Sequence, residues 1–412
     1  MVKNPEPVMW RYWLGLITIA GMMVGLFVSR SLLSISMFIF IANGIINPSI
    51  KAFLKTWAKD KLAIAQFILF LVPLVTLLWS SDKEEWFSHA FIKFPLAFLF
   101  FGFYAIIPLK EKHFKWLSHF FIVLMFGGTL WSLIIYLQNP AKYHELYRQA
   151  KVIPTLFDSN HIYFSFTVVI ALLLITKLFI SCHTKLRKVI YVVTAIWLIA
   201  YLHILSAKTG LLCLYFSLLV LGLYFLIKIK QKLVALFLLF IVASLPLMAY
   251  KLLPTFKNRI GYILYDFSHY SRGNYIEGLS DGSRYRSLLA GRDIFLDNPL
   301  TGKGFGDIKK ETNRWYNVFH PQIKDYERML PSSELLLYAC GAGIIGAILF
   351  LIAMLLPWKL KPLKNDISWK ILLSILLLFF LYEVSLEGQF GVFIYGFFTW
   401  WWFLFTQKKI SV

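Results

Sequence analysis

Twelve runs of mostly apolar residues, nearly all long enough to cross a lipid bilayer, recur along this chain, and that repetition limits the fold more than any single motif. They fall at 12–28, 32–48, 63–80, 87–108, 116–137, 161–181, 189–206, 209–227, 233–250, 334–357, 368–385 and 389–406. A hydrocarbon core of ~30 Å is crossed by a helix of ~20 residues. With 59% hydrophobic and 18% aromatic residues against 15% charged, no soluble domain of this size has interior enough to hide the apolar side chains. The runs lack the period-two alternation of a barrel strand, so helices satisfy the backbone. The expected fold is an all-α polytopic membrane protein with about 12 transmembrane helices. The first run is longer than a signal-peptide core and no small-residue cleavage pattern follows it, so it is expected to remain as a span.

A net charge of +21 raises the question of nucleic acid, and its distribution answers it. With the N-terminus in the cytoplasm, the ends and inward connections carry twenty Lys and Arg, from Lys3 and Arg11 through Lys359, Lys361 and Lys364 to Lys408 and Lys409. The short outward connections hold six: Arg30, Lys83, Lys142, Arg148, Lys151 and Lys208. The positive-inside rule then puts both termini in the cytoplasm. The charge is a topology signal, and no nucleic-acid partner is expected. Cys182, Cys213 and Cys340 are odd in number and form neither a disulfide framework nor a zinc spacing.

One connection is far longer than the rest. Residues 252–331 divide the chain into helices one to nine (1–251), an extracytoplasmic cap, and helices ten to twelve (332–412). The cap mixes twelve Lys and Arg with nine Asp and Glu and holds Phe256, Tyr262, Phe295, Trp315, Tyr316 and Phe319, so it is expected to fold. From Ile308, the positions Thr312, Trp315, Tyr316 and Phe319 repeat with helical spacing. A second short helix is expected over 284–297, ended by Asn298-Pro299.

Candidate chemistry gathers in and beside this cap. Arg284, Arg286 and Arg292 are permanently charged donors suited to a phosphate or diphosphate, or to surface pairs with Asp281, Asp293 or Asp297. Gly302-x-Gly304-x-Gly306 follows no strand, so it reads as a tight backbone turn and not a nucleotide loop. Lys208 and Lys93 lie near outer ends of spans, where a cation either snorkels or binds. His161 and His320 are lone histidines, and no metal spacing includes them. Glu383 and Glu387 share a helix face and suit the cap's arginines, a substrate hydroxyl, or solvent. In Pro331-Ser332-Ser333-Glu334, either serine can cap the next helix and Glu334 complements its dipole, a mouth that also suits an anion.

Taken together, these stretches resemble the O-antigen ligase and O-antigen polymerase superfamily of bacterial inner membranes. The resemblance rests on Arg284, then "PLTGKGFGD" (299–307), "PSSELLL" (331–337), "GIIG" (343–346), the stretch from Ser206 through Lys208 to Gly210, and Glu383 to Gly391. It implies a GT-C-like membrane fold with the cap in the periplasm. It also implies a glycosyltransferase without metal or other cofactor, taking a glycan from undecaprenyl pyrophosphate to lipid A–core or another glycan. Membrane lipid surrounds it. In that reading Arg284, Arg286, Lys208 and Lys93 hold the pyrophosphate. Ser332 stands where most ligases carry a histidine, and a serine hydroxyl does no proton work near neutral pH without a helper. Glu334, His320 or His161 is the expected replacement, with Glu383 and Glu387 as support. The rivals are a polymerase, a lipid-linked glycan flippase or transporter, and an inactive relative.

Overall fold

The computed structural model describes residues 9–107, 109–149, 151–156, 160–272, 276–360, 363 and 365–410, the last four by backbone alone. Lys3, Lys361 and Lys364 of the basic ends lie outside the described residues, as do the side chains of Lys408 and Lys409. Among the described residues there are helices and turns and no strand. In chain order the helices are α1 (Met9–Val28), α2 (Arg30–Ile45), α3 (Ile50–Trp57), α4 (Lys61–Val75), α5 (Lys83–Ala105) and α6 (Glu111–Gln138). They continue as α7 (Pro140–Arg148), α8 (His161–Ile180), α9 (Lys185–Leu205), α10 (Lys208–Tyr224), α11 (Lys232–Leu252) and α12 (Pro254–Ser271). The last five are α13 (Ser280–Asp297), α14 (Ile308–Phe319), α15 (Glu334–Leu355), α16 (Ile367–Tyr382) and α17 (Gln389–Ile410).

Among the described residues nine helices are long and apolar enough to cross a membrane, and ten if α2 and α3, bent by 104°, count as one span. Only 11% of the apolar window of α11 is buried within the protein, so its surface needs lipid. The eleventh expected span falls on α16, an apolar helix of 16 residues. The twelfth falls on α17, whose side chains from Val392 to Phe405 are all buried among protein neighbours.

The chain forms two compact units. The first holds residues 1–114, 283–365 and 380–412. Here α2 packs on α1 and α5, and α4 on α5 and α15. Gln66 of α4 donates to Thr399 (2.8 Å) and accepts from the Trp400 indole (3.0 Å), pinning α4 to α17 through a fully satisfied amide. The second unit holds residues 115–282 and 366–379, with α8 at its centre against α9 and α10. Tyr147 of α7 donates to the Ile204 and Leu205 carbonyls at 2.9 and 3.0 Å, anchoring the short helix to the end of α9. Asp266 of α12, fully buried, accepts the Asp281 and Gly282 amides at 2.7 and 3.1 Å and so caps the start of α13 from a distance in sequence.

The stretch "PLTGKGFGD" has a structural role in the first unit. Helix α15 is broken at Ala342 and Gly343, which frees backbone groups that would otherwise pair along the helix. The loop fills the break with its own backbone. Lys303 and Gly304 donate to the Cys340 and Gly341 carbonyls at 2.8 and 2.9 Å, and the Pro299 carbonyl accepts from Ile344 at 2.8 Å. Such an approach tolerates no Cβ: one added at Gly302 (φ +68°) would stand 2.5 Å from the Gly341 carbonyl carbon, and one at Gly343 (φ +62°) 2.2 Å from the Leu300 oxygen. The tight turn expected of these glycines is present, and its purpose is backbone-to-backbone docking. Phe305 then plugs the interior, and Asp307 accepts the Ser81 hydroxyl and the Ser81 and Asp82 amides at the start of α5.

Candidate active site

Helix α13 buries a stripe at Arg286, Ser287, Ala290 and Ile294, and its sequence neighbours Arg284 and Arg286 reach different surroundings. Positions two apart on a helix do not share a face. Arg284 Nη2 lies 3.0 Å from each Glu383 oxygen, Nη1 donates to the Tyr382 carbonyl, and the guanidinium stands 4.4 Å over the Tyr382 ring. The Arg284 side chain keeps 16% of its surface exposed. Arg286 is buried instead beside Tyr316 and His320 of the α14 region.

One short turn collects the partners of the remaining candidates. The residues between α16 and α17, Glu383 to Gly388, supply Glu383 to Arg284, the Leu386 amide to Glu334, and Glu387 to both His89 and Lys93. Glu334 is wholly buried, and its Oε2 has no hydrogen-bond partner among the described residues. The buried Ser385 hydroxyl and Gln389 Oε1 lack partners as well. Lys93 is 0% exposed, so it acts from inside the protein, and its ammonium lies 5.1 Å over the Phe305 ring. Burial opposes charge on Glu387, but the Lys93 ammonium and the His89 ring outweigh it and hold this carboxyl well below the usual range.

Ser333 is the N-cap residue of α15, yet its side chain makes no capping bond, and Ser332 spends its hydroxyl on Ser287 Oγ at 2.8 Å. The side-chain cap expected of these serines is therefore corrected: helix α13 competes for Ser332, and the Leu337 amide bonds the Ser333 carbonyl in the ordinary helical way. His320 closes α14 and packs on Trp315 with ring centroids 5.3 Å apart. Burial, and then the Arg286 charge, lower its pKa, so the ring is neutral near pH 7. Arg292 is an exposed partner of Asp293.

Lys208 and His161 belong to the second unit. Lys208 opens α10 and pairs with Asp281, 5.9 Å from the Tyr262 ring that Arg259 also faces at 5.2 Å. His161 is the first residue of α8, half-buried, behind the Asn160 cap. Among the described residues no three His, Cys, Asp or Glu side chains gather as metal ligands.

His89, Ser287 and Asp266 went unread in the sequence, and Asp307 was read only as the end of the 299–307 stretch. His89 and Lys93 stand four residues apart on one face of an apolar helix, and that pairing was the available signal. Asp266 carried none: its partners are the Asp281 and Gly282 amides and the Tyr262 hydroxyl at 3.4 Å.

No curated relative matches the chain. Residues 192–351 match the family described as O-antigen ligase, a stretch that includes Lys208, Arg284, the docking loop, Ser332 and Glu334 and stops before Glu383. With its many apolar helices, this makes the protein a multi-pass bacterial membrane protein of glycan-processing type, glycosyltransferase-like, with a lipid-linked glycan and an acceptor as its general substrates. The O-antigen ligase domain at residues 192–351 supports membership of the O-antigen ligase/polymerase superfamily.

Proposed function

We propose that the protein moves an oligo- or polysaccharide from undecaprenyl pyrophosphate to an acceptor hydroxyl, as an O-antigen ligase acting on lipid A–core. The O-antigen ligase domain supports the reaction class, and the tethered guanidinium of Arg284 carries the assignment of the site. Two of its nitrogens are fixed by Glu383 and Tyr382, while among the described residues no hydrogen bond takes its Nε–H, which is offered to an anion. A pre-oriented cation is what the departing pyrophosphate needs, because charge builds on its oxygen in the transition state. The acceptor oxygen attacks the anomeric carbon, the bond from that carbon to the pyrophosphate oxygen breaks, and the lipid pyrophosphate leaves with the electron pair. The acceptor's proton goes to Glu334 Oε2, and Arg284 does the charge work without a metal. Ser332 orders the mouth of α15 through Ser287 and takes no proton.

In this reading the chain crosses the bacterial inner membrane about twelve times with both ends cytoplasmic, and residues 252–331 stand in the periplasm. The Lys and Arg distribution supports that topology. Purified protein with a lipid-linked donor and lipid A–core tests the function. Glycan joined to lipid A–core is the ligase product, a longer lipid-linked glycan is a polymerase product, and no product refutes both.

A further inference from the structure

In the first unit, lysines from distant parts of the chain converge at one end of two packed spans. Lys61 is the first residue of the apolar span Lys61–Leu78, and Lys359 is the last of Glu334–Lys359. Helix α4 packs against the turn Leu356–Lys359 that follows α15. Lys59, Asp60, Lys61, Lys359 and Leu360 line a pocket of about 220 Å³ there. Span ends lie at the depth of lipid headgroups, so the pocket stands at the level of their phosphates.

Most lysines at span ends face water and set orientation without holding a ligand. These differ in charge balance and in anchoring. Three lysines share the pocket with one carboxylate, and Asp60 is already engaged, accepting the Leu62 and Ala63 amides at 2.8 and 3.2 Å. All three lysines are exposed, and among the described residues none pairs with a carboxylate. The segment that leads into the pocket is firmly held. Helix α3 turns 104° from α2 and so leaves the span direction. Its Phe53 ring lies 5.8 Å from Tyr104 of α5, and its Trp57 ring 5.0 Å from Phe67 of α4. Lys51 and Lys55, four apart on the exposed side of α3, add two further charges just before the pocket.

The surface of α15 separates a lipid from a free anion. Ile348, Leu351, Ile352 and Leu355 are exposed there, and Lys359 follows Leu355 by four residues. An apolar track that ends in a cationic pocket matches the two parts of a phospholipid, acyl chain and headgroup. The pocket is smaller than the ~300–1,000 Å³ of a typical small-molecule site, so it takes the headgroup alone. We infer that Lys59, Lys61 and Lys359 bind the headgroup of an anionic phospholipid, whose acyl chain lies along the exposed stripe of α15. The three ammonium groups meet the phosphodiester as point charges. This holds whether or not the chain transfers a glycan.

The test is native mass spectrometry of the full-length protein in detergent, titrated with phosphatidylglycerol, with phosphatidylcholine of the same chains, or with inorganic phosphate. Wild type is expected to bind one phosphatidylglycerol at least about tenfold more tightly than phosphatidylcholine. Lys59→Gln, Lys61→Gln and Lys359→Gln are each expected to weaken that binding about fivefold, and the triple variant to abolish the preference. A control triple, Lys185→Gln, Lys228→Gln and Lys232→Gln, removes the same charge at the ends of other spans. It is expected to change the affinity by less than about twofold. All of these exchanges are at exposed side chains, so the fold is kept. Equal affinities for the two lipids, or an equal loss in the two triple variants, overturns the inference. Displacement of the lipid by inorganic phosphate at the same concentration overturns it too, because the site then takes a free anion. No transfer is measured, so each of these results leaves the transferase reading untouched.

Discussion

Arg284 is held by Glu383 through one nitrogen that meets both carboxylate oxygens at 3.0 Å. The two side chains come from sequence positions about a hundred residues apart and are largely buried together. Removing one partner of such a pair strands the other, at about 3–5 kcal/mol. Glu383→Gln keeps the shape and deletes the charge. It is expected to loosen Arg284 and cut transfer by roughly ten- to a hundredfold, with a smaller loss of thermal stability than Glu383→Ala. Arg284→Lys keeps a positive charge but loses the planar donor set, so it is expected to restore little activity. Steady-state transfer rates beside melting curves check both.

Ser332 and Glu334 are separated by two positions and have different partners, Ser287 for the first and the Leu386 amide for the second. Ser332→Ala is expected to keep at least about a third of wild-type transfer, since it loses a single neutral hydrogen bond worth ~1 kcal/mol. Glu334→Gln is expected to lose about a hundredfold or more as a base is removed. The reverse order would return the proton chemistry to residue 332.

The docking loop gives a prediction about folding alone. Gly302→Ala and Gly343→Ala each force a Cβ into backbone at positive φ and are expected to destabilise by about 1–3 kcal/mol or more. Gly127→Ala meets nothing within 4 Å and lies inside α6, so it is expected to be neutral or to stabilise by up to ~1 kcal/mol. Differential scanning of the three variants in detergent separates them.

Asp307 sets a pH dependence. Burial opposes its charge, but the Ser81 hydroxyl, the Ser81 and Asp82 amides and Lys310 outweigh it and lower its pKa. A folded-state pKa below the unfolded value means the stabilisation is full above the ordinary carboxylate range near ~4. It is lost as pH falls through the folded value. Asp307→Asn is therefore expected to melt below wild type at pH 7, with the gap narrowing toward pH 3. A gap that widens in acid contradicts this.

Much of the architecture was legible because lipid leaves a coarse signature. Apolar runs marked α1, α4 to α6, α8 to α11 and α15, and the helical spacing from Ile308 falls on α14. The polar interior was legible only in part. For Glu383 the sequence left the cap's arginines, a substrate hydroxyl and solvent all open, and the structure places it against Arg284. Helix α12 was missed because its buried face is interrupted by Arg259 and Asp266, and Asp266 finds its amide partners only at the start of α13. The break in α15 was invisible for a related reason. A glycine in an apolar helix reads as close packing until the inserted backbone, here Pro299 to Gly304, is seen.

The claim on which the rest depends is that Arg284 grips the diphosphate of a lipid-linked glycan as it leaves. The direct measurement is the initial rate of glycan transfer by purified Arg284→Ala and wild-type protein, matched for melting temperature and monodispersity. A loss of about a hundredfold or more is the predicted result. Transfer by Arg284→Ala at the wild-type rate contradicts the account.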